Sequence, residues 1–227
     1  MIDKPELTEK EIQQNFDEFI GLIKKTFTGE RLEKLLKMYS EDDLGIEAAT
    51  APASMMEQWH LAHPGGYLQH IMHVVKNSHA VKKLWQLNKC NIDFTDEEMI
   101  FVALHHDLGK LGDNTGTYYK PQDQDWLLRK GEVYKMNPAI QYMEVTDRAL
   151  YNLQRYGITV TWKEVMGIKL ADGMYNEASE KYLKSFRPEL RLKTNLPHII
   201  HQADFTSCRA EFDSWMYPKT NPVVEPE

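Results

Sequence analysis

The sequence predicts an all-α fold, a helical bundle with an N-terminal helical extension. Three observations predict it. Apolar residues recur at helical spacing along most of the chain. Three segments open on a threonine followed three residues later by glutamate, the capping box that satisfies free amides at a helix start. No run alternates polar and apolar residues long enough to suggest a strand series.

Taken in order, Thr8 to Glu11 caps a first helix whose stripe is Ile12, Phe16, Phe19, Ile20 and Ile23. A second helix starts near Glu30 with Leu32, Leu35, Leu36 and Tyr39. Pro64-Gly65-Gly66 is strong punctuation, after which a long helix runs from Tyr67 toward Trp85. His70 lies in register with its apolar face, and His73 can share that face. Thr95 to Glu98 caps the helix that carries Ile100, Phe101, Leu104 and then His105-His106-Asp107, with Gly109 and Gly112 as stop signals. Asp113 to Asn137 reads as a long loop with a short hairpin. Asn137-Pro138 reads as a helix start, Thr161 to Glu164 as another, and Pro197 as the start of the last helix. The stretch Lys181 to Lys193 reads as a solvated basic face, with a phosphate-attracting rim as the alternative.

These elements form an N-terminal extension over residues 1–50, a main domain over 51–217 and a flexible tail over 218–227. With 227 residues, 42% of them apolar, the chain can bury a substantial core. No apolar stretch approaches the length of a membrane span. Met1 to Glu6 lacks the pattern of a signal peptide. Cys90 and Cys208 give no disulfide framework, so a cytoplasmic location is expected. A formal net charge of −7 disfavours a broad surface for long duplex nucleic acid, although a local basic channel stays open.

Three apolar helix faces carry a misplaced polar residue: His70, His106 with Asp107, and Asp204. Each has an ordinary explanation. A buried histidine is often a hydrogen-bonded core residue, and His106-Asp107 can be a helix-end charge with a salt bridge. Asp204 lies too far into its helix to be a cap and needs a cation or several donors. One divalent metal ion accounts for all three faces at once, because imidazole and carboxylate are both metal ligands.

Three motifs then stand in order: Gly65-Gly66-Tyr67-Leu68-Gln69-His70, His106-Asp107-Leu108-Gly109-Lys110 and His201-Gln202-Ala203-Asp204. This order resembles the HD superfamily of metal-dependent phosphohydrolases. The first motif resembles the HD domains of certain 3′-to-5′ exoribonucleases, and the stretch from His60 to Glu211 is similar to stand-alone HD proteins of tailed phages. The resemblance implies one divalent ion (Mn, Fe, Co, Ni, Zn or Mg) held by His70, His106, Asp107 and Asp204. It also implies hydrolysis of a phosphoester of a nucleotide or short oligonucleotide by metal-activated water. The alternative is a module that senses a nucleotide through an intact metal site without turnover.

Departures narrow the subclass. Many HD nucleotidases carry glutamate where this chain has Lys110, which looks more like the phosphodiesterase and exonuclease branches. Lys110 can neutralise charge on a phosphoryl oxygen, or be an ordinary helix-end cation. No histidine occurs between His106 and His198, which argues against a second fully liganded metal. Asp172 can orient a ligand, water or metal-bound histidine. His105 is a candidate general acid or a packed helix histidine, and His60, His63 and His201 are candidates to line the mouth. Lys169, Arg129, Lys130 and Arg148 are candidate phosphate contacts. Tyr118, Tyr119 and Trp126 can stack on a base or close the long loop over the core.

Overall fold

The computed structural model describes residues 7–217, and the tail expected over 218–227 lies outside them. Among the described residues the chain forms ten α-helices and one two-stranded sheet. The all-α class is therefore the fold. The helices are α1 (Glu9–Thr26), α2 (Gly29–Met38), α3 (Gly45–Thr50), α4 (Gly66–Leu87), α5 (Asp96–His105), α6 (Asp125–Leu128), α7 (Val145–Arg155), α8 (Trp162–Lys169), α9 (Glu177–Leu183) and α10 (Leu196–Met216). Single 3-10 turns follow α5 at Leu108–Leu111 and α8 at Gly173–Tyr175.

All three capping boxes form, at Thr8, Thr95 and Thr161. Each gives two otherwise unpaired amides a partner, worth about 0.5–2 kcal/mol per cap. Gly65 precedes α4 in the left-handed conformation at φ +80°, and a side chain at Gly66 would strike the Leu61 carbonyl. The Pro-Gly-Gly punctuation is thus a steric requirement of this helix entry.

The centre of the molecule is α4 against α10. Asn77 donates to Ser207 at 2.8 Å and Trp85 to Gln202 at 3.0 Å, while His70 meets Glu211. Positions rising along α4 meet positions falling along α10, so the two helices run antiparallel. Helices α5 and α8 pack beside them. The core is continuous across residue 50: Phe19, Ile23 and Phe27 of the first helix region are fully buried in the same cluster as Leu68, Phe101 and Ile199.

One expected helix start is displaced, and the long loop forms its expected hairpin. The helix expected at Asn137-Pro138 begins at Val145. Asn137 instead donates its side-chain amide to the Thr117 carbonyl and accepts from Ala139 N, a local turn that competes with helix. The long loop contains the hairpin, with Tyr119–Pro121 (β1) antiparallel to Tyr134–Met136 (β2). No helix among the described residues is long and apolar enough to cross a membrane.

Candidate metal centre

Four polar side chains converge where α4, the end of α5 and α10 meet. His70 Nε2 lies 3.1 Å from Asp204 Oδ1 and 3.6 Å from Asp107 Oδ2. His106 Nε2 lies 3.7 Å from Asp107 Oδ2 and 3.8 Å from Asp204 Oδ1. His70 is on the α4 face that buries Tyr67, Ile71 and Val74. Asp204 is flanked on α10 by buried Ala203 and Ser207. His106 and Asp107 follow α5 directly, where the chain leaves the helix for the 3-10 turn.

The outward nitrogens of both rings are occupied. His106 Nδ1 is 2.9 Å from the Ala103 carbonyl, and His70 Nδ1 is 3.1 Å and 3.2 Å from the two Glu211 oxygens. If those nitrogens carry the protons, both Nε2 atoms present lone pairs to one point. Both are buried without a hydrogen-bond partner. Two buried imidazole nitrogens without hydrogen-bond partners, facing two carboxylates, match the donor set of a divalent cation. The residues present therefore fit one metal ion, and the His70, His106 and Asp204 ligand atoms lie within 4.8 Å of one another.

The electrostatics agree. Burial works against charge on His70, but the Asp204 and Glu211 carboxylates raise its pKa to about 10. Burial likewise works against the Glu211 carboxylate, yet hydrogen bonds from His70 and His73 hold its pKa down to about 2. Asp204 is also held well below the usual carboxylate range, against its burial, chiefly by His70 and His106. Three carboxylates around His70 favour positive charge at this point, the charge a divalent ion would supply.

Lys110 closes one side. Its ammonium is 2.6 Å from Asp107 Oδ2 and donates to the Ala53 carbonyl at 2.8 Å, which Tyr119 also approaches at 3.4 Å. His60 stacks obliquely on His70 at 4.9 Å, its Nε2 buried and unpartnered, and burial pushes its pKa down to about 3. The next residue, Leu61, is held at φ +40°, a strained conformation of the kind that collects at functional sites. Cys208 reaches Asp204 Oδ1 at 3.5 Å. His60, His70, Cys208 and Glu211 form a second overlapping group of potential ligands that shares His70 with the first.

A cleft of about 490 Å3 opens beside the centre, lined by Asp204, Cys208, Asp172, His201, Tyr175 and Phe205 among others. Burial, together with the nearby Asp107 and Asp204 charges, raises the Asp172 carboxyl, against the Lys110 charge. A smaller cleft of about 170 Å3 is lined by Lys110, Tyr118, Tyr119 and Tyr134.

Other candidates sit elsewhere. His105 is fully buried on the opposite side of its turn, where Nδ1 meets the Phe101 carbonyl at 2.6 Å and the ring stacks on Tyr39. Arg148 is not a phosphate contact in this arrangement: its guanidinium is buried against the Asp113 carboxylate and donates to the Gln141 carbonyl. Lys169 pairs with Asp147 at 2.7 Å. Arg129 is exposed at the end of α6, and His63 Nδ1 meets the Pro64 carbonyl at 3.0 Å. Neither cleft is lined by His105, Arg148, Lys169, Arg129 or His63. Tyr118 is buried, edge-on to Tyr119.

Glu211 is the site residue the sequence reading left without a role. The available signal was a carboxylate seven residues after Asp204, two helical turns along the same face. Comparison with family models, with curated proteins and with solved structures finds no match to this chain.

Proposed function

We propose that the chain is a metal-dependent phosphohydrolase of the HD type, acting on a phosphoester of a nucleotide or short oligonucleotide. The observation that carries this reading is the pair of buried, unpartnered Nε2 atoms of His70 and His106 facing Asp107 and Asp204 beside an open cleft. His70, His106, Asp107 and Asp204 would hold the ion. When bound, a divalent ion there supplies an acidified water and a Lewis acid for a phosphoryl oxygen.

The chain's own residues do the rest. Glu211 orients His70 by receiving its Nδ1 proton in a hydrogen bond, and His73, 2.8 Å from the same carboxylate, steadies it. Lys110 keeps a positive charge within 2.6 Å of a ligand carboxylate, where burial opposes its charge but Asp107 raises its pKa. That charge is available to an approaching phosphoryl oxygen. Asp172 lines the cleft beside Asp204, where burial and the neighbouring carboxylates raise its carboxyl.

The test is full-length protein loaded with Mn2+, its metal content measured, and assayed against nucleoside monophosphates, cyclic dinucleotides and short RNA and DNA. Metal-dependent turnover of at least one is the expected result. Full metal occupancy with no turnover of any would overturn the reading, and tight binding of an intact nucleotide would then favour a sensing module.

A further inference from the structure

The larger cleft contains a feature the metal chemistry does not use. The Tyr175 and Phe205 rings are near-parallel, their centroids 6.1 Å apart with 22° between their planes, and Tyr175 also meets the His201 ring edge-on. Tyr175 is 76% exposed and Phe205 44% exposed. Two large rings held in parallel and left open to solvent form a stacking platform. The position is built: Gly173 has φ +57°, and any side chain there would collide with the His201 ring, so only glycine lets the 3-10 turn seat Tyr175 against α10.

The platform and the metal centre share a wall. Asp204 and Cys208 line the same cleft as the two rings. Phe205 is the next residue after Asp204 on α10. The volume, about 490 Å3, is that of a small-molecule site.

The charge of the cleft says which part of a substrate lies there. Glu144, Asp172, Glu177 and Asp204 line it, against the single guanidinium of Arg209. That guanidinium sits over the Phe212 ring at 4.9 Å and 3.9 Å from Asp213. A phosphate chain would meet repulsion along this wall, whereas a neutral planar ring would meet two aromatic faces and several hydrogen-bond acceptors.

We infer that the cleft is a base-binding subsite: a nucleobase stacks on Tyr175 and Phe205 while its phosphoester reaches the centre at Asp204. This rests on the phosphohydrolase reading for the position of the phosphate. Amino-bearing bases suit the carboxylate lining best, which makes adenosine 5′-monophosphate the natural probe.

The experiment is calorimetric titration of Mn2+-loaded full-length protein with adenosine 5′-monophosphate and, separately, with ribose 5-phosphate. The base-bearing ligand is expected to bind roughly 5- to 150-fold more tightly, the range of one base–aromatic stack. Tyr175→Ala and Phe205→Ala should each remove most of that advantage, and Tyr175→Phe should keep it. Tyr175 is largely exposed, so its variants test stacking rather than folding. Equal affinity for the two ligands, binding of neither, or an advantage that survives both alanine variants would overturn the inference. Its failure is separable from failure of the phosphohydrolase reading. Base-dependent binding without turnover of any substrate sinks the enzyme and leaves the subsite. Turnover that ignores the base sinks the subsite and leaves the enzyme.

Discussion

His105 and His106 are adjacent, yet they live in opposite regions of the molecule. His105 faces the core built by the N-terminal helices, between Tyr39 and Phe101, its Nδ1 on a backbone carbonyl. His106 faces the cleft side with Asp107, Asp204 and His70. Both Nε2 atoms are buried and unpartnered. Around His105 the neighbours are aromatic rings, and burial depresses its pKa to about 3. Around His106 the neighbours are carboxylates that ask for a cation. The difference teaches that a buried imidazole becomes a ligand through the charges it faces, and burial alone produces a packing residue.

The largest effect should come from the cleft side. His106→Ala or Asp107→Ala should lower bound metal from about one ion per chain to near zero, because each removes a ligand from a four-residue set. Elemental analysis after dialysis checks this. Full metal content in both variants would erase the distinction between the two regions.

Arg148→Met should be next, at about 1–3 kcal/mol of stability, because it removes the cation paired with the half-buried Asp113 carboxylate, which keeps its hydrogen bonds from Thr115. Chemical denaturation measures it, and a change below about 1 kcal/mol would show that Arg148 is free for other work. Glu211→Gln should weaken metal binding about 10- to 100-fold by losing the charge that orients His70. An unchanged affinity would remove Glu211 from the centre.

His105→Gln tests the core side. It should leave metal content unchanged and cost about 1–3 kcal/mol. The sign of its pH dependence follows from its depressed pKa. The folded chain resists the proton down to about 3, while the unfolded chain binds it near 6.5. The stabilisation is therefore full above about 6.5 and is lost as pH falls toward 3, with a slope of up to about 1.4 kcal/mol per pH unit. Wild type and variant melted across that window should differ by this slope, and parallel curves would contradict it. Lys169→Ala should do least, within about 1 kcal/mol, since its pair with Asp147 is exposed.

Much of the architecture was legible locally. The capping boxes at Thr8, Thr95 and Thr161 and the apolar stripes mark helix starts through hydrogen bonds that span three residues. The start near Pro138 misled because Asn137 satisfies a turn that the same residues also permit. His70, His106, Asp107 and Asp204 stood out as polar breaks in greasy faces, and the structure brings all four together. Arg148 reads as a candidate phosphate contact, since nothing near it in sequence announces Asp113 as its partner.

The sequence by itself determined the helical class, the punctuation at Gly65-Gly66 and which residues were out of place on apolar faces, because each depends on neighbours within about a turn. Tertiary structure alone decided that His105 turns to the aromatic core and His106 to the Asp107 and Asp204 carboxylates, that Glu211 supports His70, and that Tyr175 and Phe205 share a wall with Asp204. Those outcomes depend on the antiparallel seating of α10 on α4 and on what each helix face then meets. Contacts between His70 and Glu211, 141 positions apart, have no local signature in the chain.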